Sequence, residues 1–323
     1  MNIVIIGGGG VVGQKLARAL ARKGSLRGRE IARITLADMV DPAPVTAPFP
    51  VEPATCNIAD PASLDAVIGP ETDVVYLLAA IVSGQAEQEF DFGYDINLFG
   101  TRNVLERCRA LGTNPVVVFT SSIAVYGGVV EDPITEASIL NPQTSYGTQK
   151  AMGEMLVNDY SRKGFIDGRG VRLPTISVRP GAANKAASSF MSSILREPLN
   201  GQEAVCPVTE DFLHYYLSPK MCAENLVRTA ELEAEALGMN RILQMPGRTW
   251  SIRQLIDAMD AVAGPEPAKL IRWEADAEIL KIVNGWKFDI HADRALSLGL
   301  RADESFEDNV RYYIEEDRPV NAG

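Results

Sequence analysis

An apolar run followed at once by a glycine-rich loop, at the N-terminus, constrains this chain more than any other feature. Residues 2–6 read Asn-Ile-Val-Ile-Ile, and four consecutive glycines follow, so that Gly7, Gly10 and Gly13 form a Gly-x-x-Gly-x-x-Gly pattern. The run predicts a buried parallel strand because both of its faces are apolar. Residues 14–20 have the apolar spacing of a helix. The sequence therefore predicts a strand, a tight loop and a helix in direct succession.

This order of elements predicts a dinucleotide-binding site. Glycine lets the backbone turn tightly and approach a ligand closely, and the N-terminus of the following helix offers free N–H groups and a positive dipole end. Because a strand precedes the loop and a helix follows it, we prefer a pyrophosphate site to the alternative, a merely flexible loop. The residues predicted to form that site are Gly7, Gly10, Val11, Val12 and Gly13.

A second predicted strand, residues 31–38, ends on Asp38. This acid lies about 20 to 25 residues after the last glycine of the loop, where a ribose-binding carboxylate is expected. A carboxylate there can accept hydrogen bonds from both ribose hydroxyls and would repel a 2′-phosphate. Asp38 therefore predicts NAD rather than NADP, and the alternative is an aspartate in a turn at the strand end.

Composition excludes several other classes of function. The 323 residues allow a large core, and the formal net charge of −11 argues against nucleic acid or an anionic membrane as partner. The four cysteines are scattered without a C-x-x-C pair, which predicts reduced thiols in the cytoplasm. With two histidines in the chain, we predict no metal site. We expect no signal peptide, since the first strand begins at residue 2, and no membrane-spanning segment.

Strands and helices alternate along the first half of the chain. Further strands are predicted up to residue 60 and at 73–80, 115–120 and 171–179, with helices from Pro61 and at 86–111 and 146–163. This pattern predicts an α/β fold, a Rossmann-type doubly wound parallel sheet. We predict that residues 1–181 form the NAD-binding domain. Residues 182–323, where the alternation breaks, are predicted to form mainly a smaller substrate-binding region, with some segments returning to the main sheet.

A tyrosine and a lysine four residues apart, Tyr146 and Lys150, begin the predicted helix 146–163. That spacing puts both on one face, where the ammonium is expected to lower the phenol pKa from ~10. Tyr146 could then act as a general base near neutral pH. Ser122 ends the predicted strand before it, at the edge where ligands collect in open α/β sheets, and can hold the reacting oxygen. The alternative, a chance Tyr–Lys pair, is weakened by the glycine loop and by Ser122.

Together these segments resemble the extended short-chain dehydrogenase/reductase family, also called NAD-dependent epimerases/dehydratases. The resemblance covers residues 1 to about 181 in the right order, and it is carried by the glycine loop, Asp38 and residues 78–80, 97–103, 119–127, 146–150 and 179–181. It implies that Ser122, Tyr146 and Lys150 are the catalytic triad and that Lys150 binds the nicotinamide ribose. It also implies further contacts with NAD from Asn57, Ile58, Leu78, Ala79, Ala80, Asn97, Pro180 and Ala183.

The resemblance also bears on assembly and substrate. In similar enzymes two long helices, here about 86–111 and 146–163, pack as a four-helix homodimer interface. Sugar-nucleotide enzymes of the family usually carry an arginine before an Asp-Phe pair to grip a diphosphate, whereas this chain has Glu210 before Asp211 and Phe212. Glu210 is expected to repel a diphosphate, which favours a small substrate without a nucleotide.

Residues 180–190 read Pro-Gly-Ala-Ala-Asn-Lys-Ala-Ala-Ser-Ser-Phe, and residues 196–201 read Arg-Glu-Pro-Leu-Asn-Gly. In these two segments the chain resembles a branch of the family that oxidises C2 of a four-carbon sugar acid, such as D-erythronate, with NAD. Lys185 and Arg196 are candidates to hold a substrate carboxylate, and the alternative for each is a solvated surface position. Ser83 and Asn184 are further candidate substrate contacts, together with Ser122 and Tyr146. His214 and Cys206 lie near this region in sequence, and we expect a core role for both.

The sequence leaves three functions to compare. The preferred one is hydride transfer from a sugar acid to NAD, with Tyr146 as general base. The second is a sugar-nucleotide epimerase or dehydratase that uses NAD transiently. The third is a non-catalytic dinucleotide-binding sensor, which is disfavoured because such proteins often lose the tyrosine or the lysine.

Overall fold

The computed structural model describes residues 1–181, 187–283, 285–286 and 288–319. The strands are β1 Asn2–Ile6, β2 Ser25–Leu26, β3 Arg29–Glu30, β4 Arg33–Asp38, β5 Val51–Thr55, β6 Val74–Leu77, β7 Val116–Ser122, β8 Asp167–Leu173, β9 Thr175–Ile176, β10 Ala204–Cys206, β11 Leu213–Leu217, β12 Ile242–Gln244, β13 Arg248–Ser251 and β14 Ile271–Trp273. The helices are α1 Val11–Lys23, α2 Pro61–Val67, α3 Ser83–Gln88, α4 Phe90–Tyr94, α5 Thr101–Leu111, α6 Ser145–Arg162, α7 Phe190–Leu199, α8 Pro219–Glu231, α9 Ala234–Leu237, α10 Ile252–Ala263, α11 Ala277–Val283, α12 Asp293–Ser297 and α13 Phe306–Glu316. Within these ranges no helix combines the length and the apolar character that crossing a membrane requires.

A seven-stranded sheet with the order β12-β8-β7-β6-β1-β4-β5 organises the molecule, and all of its strand pairs are parallel. From β1 the chain continues to β4 and β5 on one side and then returns to β6 on the other. This reversal creates the crevice at the carboxyl ends of β1 and β6 where doubly wound sheets bind ligands. The predicted α/β fold with a doubly wound parallel sheet is confirmed.

A smaller layer of structure follows the main sheet. Strands β13, β11 and β9 form a three-stranded sheet, and β10 pairs with β14. These elements and helices α7, α10 and α13 enclose a second apolar core, whose members include Ile194, Leu255, Met259 and Phe306. The late strand β12 joins the main sheet beside β8. The division of the chain at residue 181 stays a prediction.

The predicted strand 171–179 is wrong in its bounds. Strand β8 ends at Leu173, and Pro174 follows, whose ring nitrogen cannot donate to a sheet ladder. The chain then enters the smaller sheet as β9, where Ile176 lies beside Leu217. The strand also begins earlier than predicted, at Asp167, which pairs with Val116 of β7. Arg169 in this added part is fully buried and donates hydrogen bonds to carbonyl oxygens such as that of Ala230. Because Arg169 is charged, the pattern of apolar residues in the sequence does not indicate that this part of the chain is a buried strand.

The predicted helical stretch over 86–111 is helical almost throughout, but it is divided into shorter segments. Helices α3, α4 and α5 share this stretch with a π-helical turn over residues 95–100. Within that turn Asn97 is buried, accepts a hydrogen bond from the Ile81 N–H (2.8 Å) and donates one to the Ile81 carbonyl (3.0 Å). The π turn is therefore hydrogen-bonded to the loop that follows β6. Such turns are frequent at functional sites, and this loop lies at the carboxyl end of the sheet.

The start of helix α6 is fixed by its cap and by one glycine. Thr144 is the N-cap, and its hydroxyl accepts a hydrogen bond from the Gly147 N–H (3.1 Å). A Cβ atom on Gly147 would lie 2.1 Å from the Ala124 carbonyl oxygen, so only glycine permits this close approach. The helix therefore begins directly against the loop that follows β7.

Candidate active site

The glycine loop packs so tightly that side chains are excluded from it. Gly7 has a φ of +94°, and a Cβ there would lie 2.6 Å from the Ala79 nitrogen. A Cβ on Gly13 would lie 2.2 Å from the Gly7 carbonyl oxygen. Gly10 is the N-cap of α1 and provides no side-chain cap, so the first turn of the helix, with Val11 and Val12, keeps its N–H groups for another acceptor. This glycine cradle at a helix N-terminus fits the pyrophosphate of a dinucleotide.

Asp38 lies beside that loop at the end of β4. Its Oδ2 accepts a hydrogen bond from the Gly9 N–H (2.9 Å), and its Oδ1 accepts one from the Met39 N–H (2.7 Å). The structure thus brings the predicted ribose acid to the glycine loop. The arrangement has the charge and the position expected of a group that binds ribose hydroxyls.

The predicted adenine-side residues lie after β5. Asn57 is half-buried, and its Oδ1 accepts a hydrogen bond from the Ala59 N–H (3.0 Å). Ile58 is buried and packs against Gly100, where a Cβ would come within 2.7 Å of its side chain. Both residues are therefore fixed locally, and Asn57 is the more accessible of the two.

The loop after β6 lies against the end of β1. The N–H groups of Leu78 and Ala79 both donate to the Ile6 carbonyl, at 2.8 and 3.0 Å, and both residues are half-buried, as is Ala80. Asn97 stands behind this loop, since its side-chain partners are the Ile81 backbone and the Gln149 side chain (2.7 Å). The geometry therefore favours an indirect role for Asn97, as a support for the loop, over the predicted direct contact with the cofactor.

The structure brings the three predicted catalytic side chains together. Lys150 is buried, and its Nζ donates to the Thr120 carbonyl (2.8 Å) and lies 5.7 Å from the centroid of the Tyr146 ring. The Ser122 side chain acts on the Tyr146 phenol and lowers its pKa, and the Ser122 hydroxyl accepts a hydrogen bond from the Ala124 N–H (3.1 Å). Helix α6 therefore presents Tyr146 and Lys150 to the carboxyl end of β7.

The electrostatics of the triad differ from the sequence-based expectation. Burial raises the pKa of Tyr146 to about 12, opposed by the Ser122 hydrogen bond and by the charge of Arg179. Burial also lowers the pKa of Lys150 to about 7, opposed by the charge of Glu154. The expectation that Lys150 lowers the pKa of Tyr146 is wrong for this structure, because the ammonium is directed to the Thr120 carbonyl. The cation that acts on the phenol is Arg179.

A buried ion-pair network, absent from the sequence-based prediction, lies one helical turn beyond Lys150. Glu154 accepts hydrogen bonds from Ser121 Oγ (2.5 Å) and from Arg172 Nε (2.9 Å) and Nη2 (2.7 Å). Arg172 Nη1 also donates to the Tyr126 hydroxyl (2.5 Å). An acidic residue four positions after Lys150 was the only sequence signal for this network.

The residues predicted to contact the substrate differ in their burial and in their partners. Ser83 is half-buried at the start of α3. Arg196 is buried, pairs with Glu197 (2.6 Å) and donates to the Arg179 carbonyl (3.0 Å). This pairing disfavours the prediction that Arg196 holds a substrate carboxylate, because its charge already has an anion. Ala183, Asn184 and Lys185 lie outside the described residues, and Pro180 is half-buried next to Arg179.

Two other sequence-based arguments are tested by the structure. Glu210 forms an ion pair with Arg253, so its charge is offset and its expected repulsion of a diphosphate is weaker than predicted. His214 is buried, with its Nε2 2.8 Å from Thr175 Oγ1, and burial lowers its pKa to about 3. Cys206 is buried too. The expected core positions of His214 and Cys206 are confirmed.

The family model for the NAD dependent epimerase/dehydratase family matches residues 3–214. Among curated proteins, a D-erythronate dehydrogenase of Cupriavidus necator is 46% identical over 98% of each chain. A D-erythronate dehydrogenase of Haemophilus influenzae is 42% identical, over 98% of this chain and all of its own length.

Several solved structures have the same fold as this chain. A protein from Agrobacterium tumefaciens described as a nucleoside-diphosphate-sugar epimerase is 44% identical, with a TM-score of 0.93, and the match covers 98% of this chain and 94% of that one. A GalE-like L-threonine dehydrogenase from Cupriavidus necator is 25% identical, with a TM-score of 0.81 and coverages of 96% and 98%. The similar proteins thus carry the names of two kinds of enzyme, dehydrogenases and a sugar-nucleotide epimerase.

Proposed function

Because the chain belongs to the NAD-dependent epimerase/dehydratase family, we propose that it oxidises the C2 hydroxyl of a small sugar acid, such as D-erythronate, by hydride transfer to NAD. The observation that carries this proposal is the assembly of Ser122, Tyr146 and Lys150 at the carboxyl end of β7. Full-length relatives at 42 and 46% identity, both D-erythronate dehydrogenases, support the dehydrogenase reaction and the substrate class.

Each member of the triad has a role in this proposal. The Tyr146 hydroxyl, once deprotonated, takes the proton of the substrate hydroxyl, and Ser122 holds the substrate oxygen through its own hydroxyl. Lys150, fixed by its bond to the Thr120 carbonyl, binds the nicotinamide ribose. When bound, NAD supplies the hydride acceptor, and the protein supplies position and electrostatics.

NAD is proposed over NADP. Asp38 places a carboxylate beside the glycine loop, where it would repel a 2′-phosphate. Residues 34–49, which include and follow Asp38, contain no lysine or arginine that could bind such a phosphate. The cofactor-binding set proposed with Asp38 consists of Gly7, Gly10, Val11, Val12, Gly13, Asn57, Ile58, Leu78, Ala79, Ala80, Tyr146, Lys150 and Pro180, with Asn97 acting through the loop after β6.

The second candidate is a sugar-nucleotide epimerase, and it is favoured by the description of the Agrobacterium tumefaciens structure. The two reactions differ in one measurable product. A dehydrogenase releases one reduced cofactor for each substrate molecule, whereas an epimerase uses NAD transiently and releases none.

The dehydrogenase and epimerase reactions can be distinguished by the absorbance of reduced cofactor. The assay uses a panel of aldonic acids and of UDP- and GDP-sugars. We expect net NADH with a four-carbon aldonic acid and none with the sugar nucleotides. A Tyr146→Phe enzyme, prepared in the same way, controls for contaminating dehydrogenases. Turnover of a sugar nucleotide without net NADH, together with inert aldonic acids, would replace the dehydrogenase proposal by the epimerase one.

A homodimer is proposed on the exposed apolar side chains of α4, the π turn and α6. Phe90, Phe92, Phe99 and Met155 are 55, 42, 50 and 63% exposed, which is unusual for a cluster of large apolar residues. The other apolar side chains expected there, Ile96, Met152 and Leu156, are half-buried. A second copy of the chain, packed on the same face, would cover this apolar surface.

A cytoplasmic location is a further proposal. All four cysteines are free, and all are buried: Cys56, Cys108, Cys206 and Cys222. Unpaired thiols in a chain of this size fit a reducing compartment.

A further inference from the structure

We propose that Gln14 is a positioning residue of the cofactor site, which fixes the peptide group between Gly8 and Gly9 and, through it, the carboxylate of Asp38. This inference rests on the proposed function only for the identity of the cofactor, NAD. Gln14 lies outside the Gly-x-x-Gly-x-x-Gly pattern, and its role follows from the contacts that its side chain makes in the fold.

The side-chain amide of Gln14 is a buried double donor. The residue is 9% exposed, and its Nε2 donates to the Gly8 carbonyl (2.9 Å) and to the Ala43 carbonyl (3.2 Å). Both acceptors are carbonyl oxygens, so the nitrogen of the amide, and not its oxygen, must face them. Gln14 Oε1 is buried and has no hydrogen-bond partner in the part of the chain that the structure describes. The orientation of the amide is therefore set by the two bonds that it donates.

One peptide group of the glycine loop is hydrogen-bonded at both of its ends. The Gly8 carbonyl accepts from Gln14, and the N–H of the same peptide group, that of Gly9, donates to Asp38 Oδ2 (2.9 Å). Because a peptide group is planar, the directions of its carbonyl and of its N–H are set together. By holding the carbonyl, Gln14 therefore keeps the N–H directed at Asp38, and the carboxylate keeps one orientation beside the loop.

The peptide group between Gly8 and Gly9 needs such a contact because neither residue carries a side chain. Glycine adopts both signs of φ readily, so rotation of a peptide group between two glycines costs little. Rotation would withdraw the N–H from Asp38. Turning the group over would place the carbonyl oxygen, which carries partial negative charge, where the N–H now meets the Asp38 carboxylate. Gln14 opposes both changes, and thus preserves the carboxylate that is proposed to bind the ribose hydroxyls.

The second acceptor of Gln14 extends its effect to the segment that follows Asp38. Residues 41–49 are described throughout, and the bond from Gln14 to the Ala43 carbonyl is the one hydrogen bond that they make with the rest of the described chain. Ala43 lies between two prolines, which have no N–H to donate. Gln14 therefore joins this segment to the glycine loop, next to the proposed ribose site.

A binding experiment tests this role without depending on turnover. The probes are NADH and ADP, titrated by calorimetry; ADP holds the adenosine ribose and the pyrophosphate but lacks the nicotinamide and its ribose. Gln14→Met keeps the length of the side chain and removes both donors. We expect both probes to bind about tenfold more weakly, the order of two buried hydrogen bonds. The KM for NAD should rise by a similar factor, and kcat should change much less.

A double-mutant cycle with Asp38→Ala separates this role from a general loss of stability. Asp38→Ala removes the acceptor of the Gly9 N–H, so the direction of the peptide group no longer acts on a carboxylate. In that background Gln14→Met should weaken the binding of ADP by less than about threefold, because coupled residues are not additive. Equal effects of Gln14→Met in both backgrounds would overturn the inference.

Gln244 provides a matched control. It is fully buried, and its Nε2 also donates to two backbone carbonyls, those of Arg172 and Met245 (3.1 Å each). Gln244→Met should lower the melting temperature as Gln14→Met does and leave the affinity for ADP unchanged. Gln14→Lys keeps a donor of similar reach and should retain most of the affinity, which also serves if Gln14→Met does not fold. A loss in Gln14→Lys as large as that expected for Gln14→Met would overturn the role of the donors.

The outcomes separate this inference from the proposed reaction. Unchanged ADP affinity in a folded Gln14→Met protein, or an equal loss in Gln244→Met, overturns the role of Gln14 even if the enzyme oxidises D-erythronate. A Gln14-dependent affinity without turnover of any aldonic acid supports the inference and counts against the proposed reaction alone. An unmodified protein that binds neither NADH nor ADP overturns both.

Discussion

Glu154 and Arg172 form a buried bidentate ion pair directly behind the candidate catalytic side chains. Arg172 Nε lies 2.9 Å from Glu154 Oε1 and Nη2 lies 2.7 Å from Oε2. Both side chains are almost fully buried, at 5 and 3% exposure, so water screens the pair little. The pair joins helix α6 to strand β8 at the level of the triad.

The same helix is also joined to three consecutive residues at the end of β7. Ser121 donates to Glu154, and the Thr120 carbonyl accepts from Lys150. The Ser122 side chain acts on the Tyr146 phenol and lowers its pKa. These contacts hold helix α6 against the end of β7, and we propose that Glu154 is a positioning residue of the candidate triad.

Glu154→Gln should impair both stability and cofactor binding. It leaves Arg172 as an unpaired buried cation, which costs about 3 to 5 kcal/mol of unfolding free energy. It also removes the charge that opposes the lowered pKa of Lys150, so that less Lys150 is protonated at neutral pH and the KM for NAD rises. Chemical denaturation and the pH dependence of KM measure the two effects.

Two further variants interpret that result. The double variant Glu154→Met with Arg172→Met removes both charges and should recover much of the stability while the NAD defect remains. Glu224→Gln breaks a surface pair with Lys220 and should change stability by less than about 1 kcal/mol. A normal pH dependence of KM in the Glu154 variants would refute the positioning role.

Tyr146→Phe should abolish most turnover without unfolding the protein. The ring keeps its packing and the glycine loop is untouched, but the proton-accepting oxygen is gone. We expect kcat to fall by ~10²- to 10⁴-fold, with near-normal NAD affinity. Steady-state kinetics and calorimetric NAD binding check this, and near-normal rates in a folded variant would mean that another residue is the base.

The oxidation rate should rise with pH. Below the Tyr146 pKa of about 12 the phenol is mostly protonated, so the active phenolate increases about tenfold per pH unit. Above about pH 7 Lys150 loses its proton and the slope should decrease. Profiles of kcat/KM measure this, and the reverse reaction, which uses the protonated phenol, should show no such rise. A flat oxidation profile from weakly acidic to neutral pH would contradict the assignment.

Asp38→Asn should relax the choice of cofactor. The amide oxygen can still accept from the Gly9 N–H, which Asp38 Oδ2 now does at 2.9 Å, but the negative charge is gone. We expect NAD to be preferred by the unmodified enzyme and the preference to fall about tenfold or more in the variant. The ratio of kcat/KM for NAD and NADP measures it. Equal use of both cofactors by the unmodified enzyme would remove the role given to Asp38.

The proposed dimer predicts twice the chain mass in light scattering at micromolar concentration. Phe99→Asp and Met155→Glu put charges on the exposed apolar face and should yield monomers, since a buried unpaired charge opposes association. Met239→Glu, at a residue 81% exposed on a different part of the chain, is the matched control and should remain dimeric. A monomer mass for the unmodified protein would refute the dimer.

Much of the fold could be predicted from local patterns. The run at residues 2–6, the glycines after it and the Tyr-Lys spacing each specify an element whose geometry depends on a few neighbouring residues. The N-caps Asp60 and Ser251 are equally local, because their side chains accept hydrogen bonds from the first turns of α2 and α10. These features lie within single elements, so no tertiary contact is needed to infer them.

The differences between the predicted and the observed bounds of β8 and of the helical stretch 86–111 involve buried polar residues. Arg169 is fully buried because it donates to carbonyls near residue 230, about 60 positions away, and this hides the start of β8. Asn97 lies in a π-helical turn between α4 and α5, and its side chain binds the backbone of Ile81. Polar residues that are satisfied by distant partners look exposed in a sequence pattern, which records only spacing along the chain.

For the candidate site, the sequence by itself determined which groups are present: the glycine loop, Asp38 and the Ser, Tyr and Lys of the triad. Only the tertiary structure decided their electrostatics. It directed Lys150 to the Thr120 carbonyl, buried Tyr146 so that its pKa rises, and engaged Arg196 with Glu197. The physical reason is that pKa values and free charges depend on burial and on distances of a few ångström between groups far apart in sequence.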